Sequence, residues 1–459
     1  MIYNDSDTIV APATPAGGAL CLIRLSGKES ITICDKIFRG RVSLLSARPS
    51  TIHYGDIVDG NEVVDDVMVS VFRSPRSFTG EDSVEISTHG SRYVVQRVIT
   101  LLTQHGARLA EAGEFTRRAF LAGKMDLSQA EAIADVIAAD SHASHAIAST
   151  QMRGAYSDEL RELRDKLIHI TSLLELELDF SEEDVEFADR GELCRLLQTT
   201  RDKVSSLAAS FSLGNALKEG IMVAIAGRPN VGKSTLLNRL TGEDRAMVSD
   251  IAGTTRDTIE ATANINGVIY RFIDTAGLHS TDDRLERMGI ERTAKALHKA
   301  HIILWISDDA QADFSYDLED FTPNEQQKVI HVINKIDQQS CEENTSLPES
   351  GKHPDYPTVR ISAKYGTGVD LLLDELASTL DPSTAYQGDV IVSSQRHYSA
   401  LIEAQTALDA ALDALDADIS SDLLSEDIRQ TMYHLGTITG EITSEDILKS
   451  IFSNFCIGK

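Results

Sequence analysis

The stretch Gly227-Arg-Pro-Asn-Val-Gly-Lys-Ser-Thr235 decides the fold around it, because it is a complete G-x-x-x-x-G-K-S phosphate-binding loop. The apolar run 221–226 before it reads as a buried parallel strand, and residues 234–240 after it read as a helix. In that context the backbone N–H groups and the helix N-terminus would face a polyphosphate. Lys233 would reach its terminal phosphates, and the Ser234 hydroxyl would ligate Mg²⁺. The sequence therefore predicts a nucleoside triphosphate site.

Two further motifs predict the switch segments of a GTPase. Gly253-Thr-Thr-Arg-Asp257 follows the first helix, and Thr255 would complete the Mg²⁺ coordination once a γ-phosphate is present. Asp274-Thr-Ala-Gly277 ends a predicted hairpin strand. Asp274 is expected near the metal, and the Gly277 N–H near the γ-phosphate. Both motifs are typical of a nucleotide-hydrolysing switch.

The base-recognition motifs predict guanine. Asn334-Lys-Ile-Asp337 ends a buried strand, and the Asp337 carboxylate would accept from the ring N–H and the exocyclic amine of guanine. Adenine lacks both donors there, so the nucleotide is predicted to be GTP. Ser362-Ala-Lys364 would place backbone N–H groups by the guanine carbonyl. The residues expected to contact GTP are Asn230, Val231, Gly232, Lys233, Ser234, Thr235, Ser249, Asp250, Ile251, Ala252, Gly253, Thr254, Thr255, Asp274, Thr275, Ala276, Gly277, Asn334, Lys335, Asp337, Ser362, Ala363 and Lys364.

One residue departs from the Ras-like pattern. Leu278 follows the glycine of D-x-x-G, where Ras-like enzymes carry a glutamine that positions the attacking water. The chain must therefore orient its nucleophile through another acid or a second cation. Candidate acids are Asp282, Asp283 and Glu286, although Asp282 and Asp283 read better as solvated helix residues.

Composition narrows the class of protein. At 459 residues the chain is long enough for about three domains. Its 42% hydrophobic and 25% charged residues are ordinary for a globular protein. No apolar run approaches the ~20 residues that cross a bilayer, and the acidic N-terminus lacks the basic start of a leader. The five scattered cysteines form no C-x-x-C pair. We therefore expect reduced thiols, no structural zinc and a cytoplasmic location.

The net charge of -28 argues against a protein that coats nucleic acid non-specifically. A nucleic-acid substrate would need a local basic patch or presentation by a partner. Arg117 and Arg118 are candidates for such a nucleic-acid patch, although surface arginines usually need no such explanation.

Patterns outside the nucleotide module predict two further kinds of domain. Strands are expected at 20–25, 67–72 and 83–87, and helix at 94–105. A capping box at Ser128-Gln-Ala-Glu131 is expected to open a helical stretch that runs with little interruption to about Phe180, and helix resumes over 191–217. The predicted fold class is multidomain α+β, with a P-loop α/β GTPase domain inserted in a helical domain and preceded by an α+β domain. The predicted segments are 1–122 (N-terminal domain), 123–219 (helical, first part), 220–380 (GTPase) and 381–459 (helical, second part).

Four motifs outside the GTPase segment carry a resemblance to a known family. They are Ser77-Phe-Thr-Gly-Glu-Asp82, Gly113-Glu-Phe-Thr-Arg-Arg-Ala-Phe-Leu121, Lys124-Met-Asp-Leu-Ser-Gln-Ala-Glu-Ala-Ile-Ala134 and the terminal Phe455-Cys-Ile-Gly-Lys459. With these motifs the chain resembles, end to end, the MnmE (TrmE) family of tRNA-uridine modification GTPases. One departure is the turn at 11–18, which is shorter than in many members and lacks their arginine.

The resemblance implies a second chemistry beside GTP hydrolysis. The N-terminal domain would dimerise and bind a 5,10-methylene- or 5-formyl-tetrahydrofolate through Arg24, Glu85, Lys124 and Lys459. The Cys456 thiol would lie near the folate as a catalytic candidate, although a cysteine there is also simply a small apolar residue. With an FAD-containing MnmG-family partner, in a heterotetramer or larger assembly, the chain would form 5-aminomethyl or carboxymethylaminomethyl uridine at the tRNA wobble position.

The resemblance also implies how the missing glutamine is replaced. A K⁺ ion would be held by Asn230 and Thr254 and by the backbone carbonyls of Ser249 and Ile251, in place of an arginine finger. Glu286 matches the family's water-orienting glutamate. The GTPase segments of a dimer would meet across their nucleotides.

Two other classes of protein compete with this interpretation. A ribosome-assembly or RNA-binding GTPase without modification chemistry would carry a basic appendage, but the tail from 380 onward is acidic and alanine-rich. A dynamin-like membrane remodeller would need a membrane element, and the sequence shows none.

Overall fold

A computed structural model describes residues 7–179, 190–242, 260–274, 296–308, 321–324, 327–338, 356–379, 390–417, 421–453, 455 and 458. The chain divides into two compact units. The first comprises Met1–Ala134, Gln151–Gln198 and Glu403–Lys459, and the second comprises Asp135–Thr150 and Thr199–Ile402. The four-segment division predicted from sequence stays a prediction.

Thirteen strands are described. They are β1 Ile9–Pro12, β2 Leu20–Ser26, β3 Phe38–Gly40, β4 Thr51–Asp59, β5 Glu62–Phe72, β6 Ser83–His89, β7 Arg108–Leu109, β8 Ile221–Ala226, β9 Glu260–Ile265, β10 Val268–Asp274, β11 Ile302–Ser307, β12 Lys328–Ile333 and β13 Thr358–Arg360. The strands predicted at 20–25, 67–72 and 83–87 are confirmed as parts of β2, β5 and β6.

The helices with described bounds are α1 Ser30–Asp35, α2 Arg92–Gln104, α3 Glu114–Leu121, α4 Leu127–Ala138, α5 His142–Met152, α6 Ala155–Asp179, α7 Arg190–Ala209, α8 Phe211–Glu219, α9 Lys233–Leu240, α10 Val369–Thr379, α11 Gln395–Asp416, α12 Ser421–Thr439 and α13 Glu445–Ser453. No helix in this part of the chain is both long and apolar enough to cross a membrane.

The first unit contains a seven-stranded sheet with strand order β3-β4-β5-β6-β2-β1-β7. Its pairs are antiparallel except β1 with β7. Every second residue along β2 and β6 is fully buried, including Ile23, Leu25, Val84 and Ile86. This period of two covers one face of the sheet with apolar side chains.

The long helical stretch predicted from Ser128 is present, but its first helix begins differently. Asp126 caps α4, because its Oδ1 accepts from the Gln129 N–H at 2.9 Å while Gln129 Oε1 accepts from the Asp126 N–H at 3.0 Å. Ser128 lies inside the helix instead, with its hydroxyl 2.9 Å from that of Ser157. Gly154, with φ +91°, separates α5 from α6 because that left-handed conformation interrupts a helix. The capping box at Ser128 was therefore wrong, whereas the helical stretch with little interruption to about Phe180 is confirmed by α4, α5 and α6.

The second unit contains a six-stranded sheet with order β13-β12-β11-β8-β10-β9. All its pairs are parallel except the hairpin of β9 with β10. The central strands β8 and β11 are buried on both faces, as near-continuous apolar runs in parallel sheets are. The carboxyl ends of β8, β11 and β12 therefore meet at one edge, where ligands bind in open α/β sheets.

Candidate functional site

The phosphate loop joins β8 to α9 through backbone that needs glycine at two positions. Gly227 has φ +142°, and a side chain there would collide with the Ile306 carbonyl. Gly232 has φ +103°, and a side chain there would meet the amide of Asn334. Asn230 also has a positive φ, +65°, which asparagine tolerates better than most residues. The loop is thus held close to two neighbouring strands.

Lys233 opens α9 and is buried, with 5% of its surface exposed. Its ammonium donates to the Gly227 carbonyl at 2.7 Å and to the Arg228 carbonyl at 2.8 Å. A buried cation at a helix N-terminus stabilises negative charge in front of it. The exposed Ser234 hydroxyl follows at the next position. This arrangement suits a polyphosphate with its metal ion.

Asn334 links the phosphate loop to the base-recognition segment. The side chain is buried, its Nδ2 donates to the Val231 carbonyl at 2.7 Å, and its Oδ1 accepts from the Ala363 N–H at 2.9 Å. The nitrogen and the oxygen of this side-chain amide therefore both make hydrogen bonds within the protein. Asn334 works as a bridge that joins three loops into one site.

Asp337 lies at the other end of the site and is exposed. Its Oδ1 accepts from the Ser362 hydroxyl at 2.6 Å, which orients the carboxylate. Arg239 from α9 donates to the Ala363 and Lys364 carbonyls at 3.3 and 2.6 Å, and so fixes the segment Ser362–Lys364. Sequence reasoning missed Arg239, and no motif marks it.

The described GTP-contact candidates lie together at this edge of the sheet, in the phosphate loop, at 334–337 and at 362–364. Residues 249–255, residues 275–277 and Glu286 lie outside the described part of the chain, as does the Asp274 side chain. Their predicted roles stay predictions.

A second polar cluster lies on the first unit's sheet. Arg24 of β2 and Glu85 of β6 are direct cross-strand partners, and Arg24 Nη2 lies 2.8 Å from Glu85 Oε1. The guanidinium carbon also lies 5.1 Å from the ring centroid of Phe78 and 5.8 Å from that of Phe115. Arg24 is thus held by one carboxylate and two aromatic rings.

Of the other two folate candidates, the structure describes only Lys124. Lys124 donates to the Pro75 carbonyl at 3.0 Å. Gly458, with φ +99°, lies so close to the end of β1 that a side chain would meet the Pro12 carbonyl. Phe455 is buried in a cluster with Phe452 of α13. Gly458 therefore lies beside the end of β1 and Phe455 packs with α4 and α13, while Cys456 and Lys459 lie outside the described residues.

Arg117 and Arg118 are not part of a surface patch. Their side chains are only 10% and 3% exposed. Arg118 Nη2 lies 2.7 Å from Asp7 Oδ1 and 3.0 Å from Oε1 of the fully buried Glu114, which also contacts Arg108 at 2.6 Å. The prediction that these arginines contribute to a nucleic-acid patch is therefore wrong, because both side chains are buried and pair with carboxylates of the same unit. Sequence reasoning missed Glu114, although its i,i+4 spacing to Arg118 signals such a pair.

Because of the ion pairs that Asp7 and Glu114 make with Arg108 and Arg118, we expect the stability of the first unit to fall at acidic pH. Burial raises the pKa of Asp7 and of Glu114, but hydrogen bonds from Arg108 and Arg118 outweigh it, so each pKa lies below its ordinary value. Groups with lowered folded-state pKa values stabilise the fold above their unfolded pKa of about 4 and lose that contribution as pH falls through the folded pKa. We expect hydrogen-exchange protection of β2 and α3, corrected for intrinsic rates, to fall below about pH 4. Unchanged protection down to pH 2 would contradict the linkage.

The chain matches the MnmE helical domain family over residues 127–456 and the family described as GTP-binding protein TrmE N-terminus over residues 8–124. The tRNA modification GTPase MnmE of Bacteroides fragilis is 49% identical over 464 residues, covering 99% of this chain and 100% of that protein. Its counterpart in Cytophaga hutchinsonii is 46% identical over 462 residues, covering 100% of this chain and 99% of that protein. Among solved structures, the G domain of the T. maritima FeoB iron transporter is 27% identical over 35% of this chain and 98% of that chain, with a TM-score of 0.24.

Proposed function

Because the chain belongs to the MnmE family of tRNA modification GTPases, we propose that it hydrolyses GTP to drive modification of the wobble uridine of tRNAs. The observation that carries this proposal is the bridge made by Asn334, which ties the phosphate loop to Ala363 beside Asp337. A site that unites a phosphate cradle with a carboxylate for guanine is suited to GTP. The multidomain α+β fold agrees with the same family.

The resemblance to the family assigns the K⁺ ligands and the role of Glu286, and the phosphate-loop and switch motifs assign the Mg²⁺ ligands. The hydroxyls of Ser234 and Thr255 would hold Mg²⁺, which neutralises charge on the β- and γ-phosphates. Asn230 and Thr254, with the carbonyls of Ser249 and Ile251, would hold K⁺; oxygen donors of this kind suit a hard cation. Asn230 supports this assignment, since it is exposed within the phosphate loop at a left-handed backbone position. Glu286 would orient the attacking water in place of the glutamine that Leu278 replaces.

This assignment predicts that hydrolysis depends on K⁺. At equal ionic strength, GTP turnover in KCl should exceed turnover in NaCl by at least about tenfold, because the cation replaces a positively charged side chain in the transition state. The measurement is phosphate release by the full-length protein at saturating GTP. Asn230→Ala should abolish the difference between the two salts, and Lys328→Ala on β12 is the matched control. Equal wild-type rates in both salts would refute the K⁺ site.

The folate chemistry is proposed for the first unit. A tetrahydrofolate would supply the one-carbon unit, and an FAD-containing MnmG-family partner would complete the modification. Arg24, Glu85 and Lys124 offer the cationic and carboxylate partners that a folate requires, and Gly458 places the C-terminal motif in the same unit beside β1. In that motif Lys459 would bind the folate, and Cys456 is the catalytic candidate.

A homodimer is proposed through the exposed face of the same sheet. Ile52 and Tyr54 on β4 are 65% and 69% exposed, and Met68 on β5 is 53% exposed. Tyr54 pairs directly with Met68, and the row that begins at Ile52 continues through Ser70 to Glu85 and Arg24. Cross-strand partners share one face, so the apolar residues adjoin the folate candidates. A second copy would cover this face.

The location is proposed to be cytoplasmic. Three cysteines lie in the described part of the chain, and all are free thiols: Cys21, Cys34 and Cys194. Burial raises the pKa of the Cys34 thiol far above its ordinary value, so that group behaves as a small apolar residue. Free thiols of this kind agree with a reducing compartment and with tRNA as substrate.

A further inference from the structure

The loop Ser77–Asp82 lies beside both described basic residues of the proposed folate site. Its Phe78 ring lies 5.1 Å from the Arg24 guanidinium. Its Gly80, with φ +82°, lies near Lys124: a Cβ added there would be 3.1 Å from Ala122 Cβ and 3.6 Å from Lys124 Cδ. Glu85 of β6 follows three residues after the loop. The position of this loop therefore affects the directions in which the Arg24 and Lys124 side chains point.

Glu81 anchors the loop from inside the unit. Its Oε2 accepts from the Ser26 hydroxyl at 2.6 Å, and both carboxylate oxygens lie 3.3 Å from Arg118 Nη1. The Ser26 hydroxyl also lies 2.6 Å from that of Thr79, in the same loop. Arg118 is 3% exposed, so the ion pair is shielded from water on that side. A shielded, charge-assisted pair holds a loop more firmly than an exposed one.

The same ion pair joins the two elements whose aromatic rings lie next to Arg24. Arg118 and Phe115 both lie on α3, while Glu81 and Phe78 both lie on the loop. The Glu81–Arg118 pair consequently draws the loop and α3 together, with the Arg24 guanidinium next to one ring from each. The Glu81 carboxylate is engaged by Arg118 and Ser26, which makes it a structural anchor and leaves ligand contact to other groups.

We propose that Glu81 is a positioning residue for folate binding. Through Arg118 and Ser26 it sets the loop Ser77–Asp82, and the loop directs Arg24 and Lys124 toward an anionic, aromatic ligand. The inference rests on the proposed folate function and adds a residue that does not itself touch the ligand. In Glu81→Gln the carboxamide oxygen still accepts from Ser26, but the charge that attracts Arg118 is lost, so the loop loosens from α3.

The test measures binding of 5-formyltetrahydrofolate to the full-length chain by equilibrium dialysis. Glu81→Gln should weaken binding about tenfold, because ligand binding must then order a loop that the wild-type ion pair already holds in place. Glu111→Gln is the matched control, because Glu111 is 59% exposed and 3.6 Å from Arg117 in the neighbouring part of the network. We expect that control to bind within twofold of wild type.

A double-mutant cycle separates positioning from a general structural role. If Glu81 acts by directing Arg24 and Lys124, Glu81→Gln should cause a smaller loss in an Arg24→Ala background than in the wild-type background, since residues in one network are not additive. Additive losses would overturn the positioning role. Should Glu81→Gln lose its fold by circular dichroism, Ser26→Ala replaces it in the cycle, with about a fivefold loss expected; affinity equal to wild type in Ser26→Ala would overturn the proposal.

The outcomes distinguish the inference from the function on which it rests. A wild-type chain that does not bind 5-formyltetrahydrofolate would overturn the folate function, and the role of Glu81 with it. A wild type that binds, together with a folded Glu81→Gln that binds equally well, would overturn only the role of Glu81.

Discussion

Lys233→Ala is expected to lower GTP turnover by about 10²–10³-fold and to weaken GTP binding. The Lys233 ammonium is buried at the N-terminus of α9 and is fixed by the Gly227 and Arg228 carbonyls at 2.7 and 2.8 Å. A cation held in this way needs no reorganisation as charge develops on the transferred phosphoryl group, and one such group is typically worth that factor. The substitution also removes two bonds that tie the loop to its own helix.

The measurement is phosphate release under single-turnover conditions, beside GTP affinity from a fluorescent nucleotide titration. Lys328→Ala is the matched control, because Lys328 lies in the same unit and pairs with Glu375 at 3.0 Å. The control should retain wild-type turnover and circular dichroism. Turnover of Lys233→Ala within tenfold of wild type, with the fold intact, would remove this lysine from the catalytic group.

The parts of the site that sequence predicted are those carried by local pattern. The apolar run of β8, the glycines at positive φ and the start of α9 follow from neighbouring residues, and the structure agrees with each within one residue. The bridge by Asn334 was not predictable in the same way. Its partners lie 103 and 29 residues away, and only the folded sheet brings them together.

The errors have physical causes as well. Arg117 and Arg118 read as surface residues because arginine is rarely buried unless paired, and one partner, Asp7, is 111 residues from Arg118 in sequence. At the start of α4 two cap patterns overlap, Asp126 with Gln129 and Ser128 with Glu131. The contact of Ser128 with Ser157 places Ser128 inside the helix and leaves Asp126 as the cap. The burial of the two arginines and the position of the helix cap both depend on tertiary contacts, which local sequence patterns do not show.

Asp337→Asn is expected to change the nucleotide preference from GTP to XTP. The wild-type carboxylate would accept two hydrogen bonds from guanine, each charge-assisted and worth about 1.5–3 kcal/mol. The amide of the substituted side chain would present an N–H donor to the N–H donors of guanine. GTP affinity should therefore fall at least about 10²-fold. Xanthine carries a carbonyl in place of the exocyclic amine and accepts from the new amide, so XTP should gain affinity.

The contact with Ser362 determines which way an asparagine amide at position 337 would point. Because the Ser362 hydroxyl donates to Asp337 Oδ1 at 2.6 Å, an amide at this position keeps its oxygen toward Ser362 and turns its NH₂ toward the base. Competition titrations with GTP and XTP, followed by turnover of each, measure the switch. Asp370→Asn, at an exposed aspartate that opens the neighbouring α10, is the matched control and should keep the wild-type preference. If Asp337→Asn lost GTP without gaining XTP, Asp337 would serve to order the Ser362 segment and would not read the base.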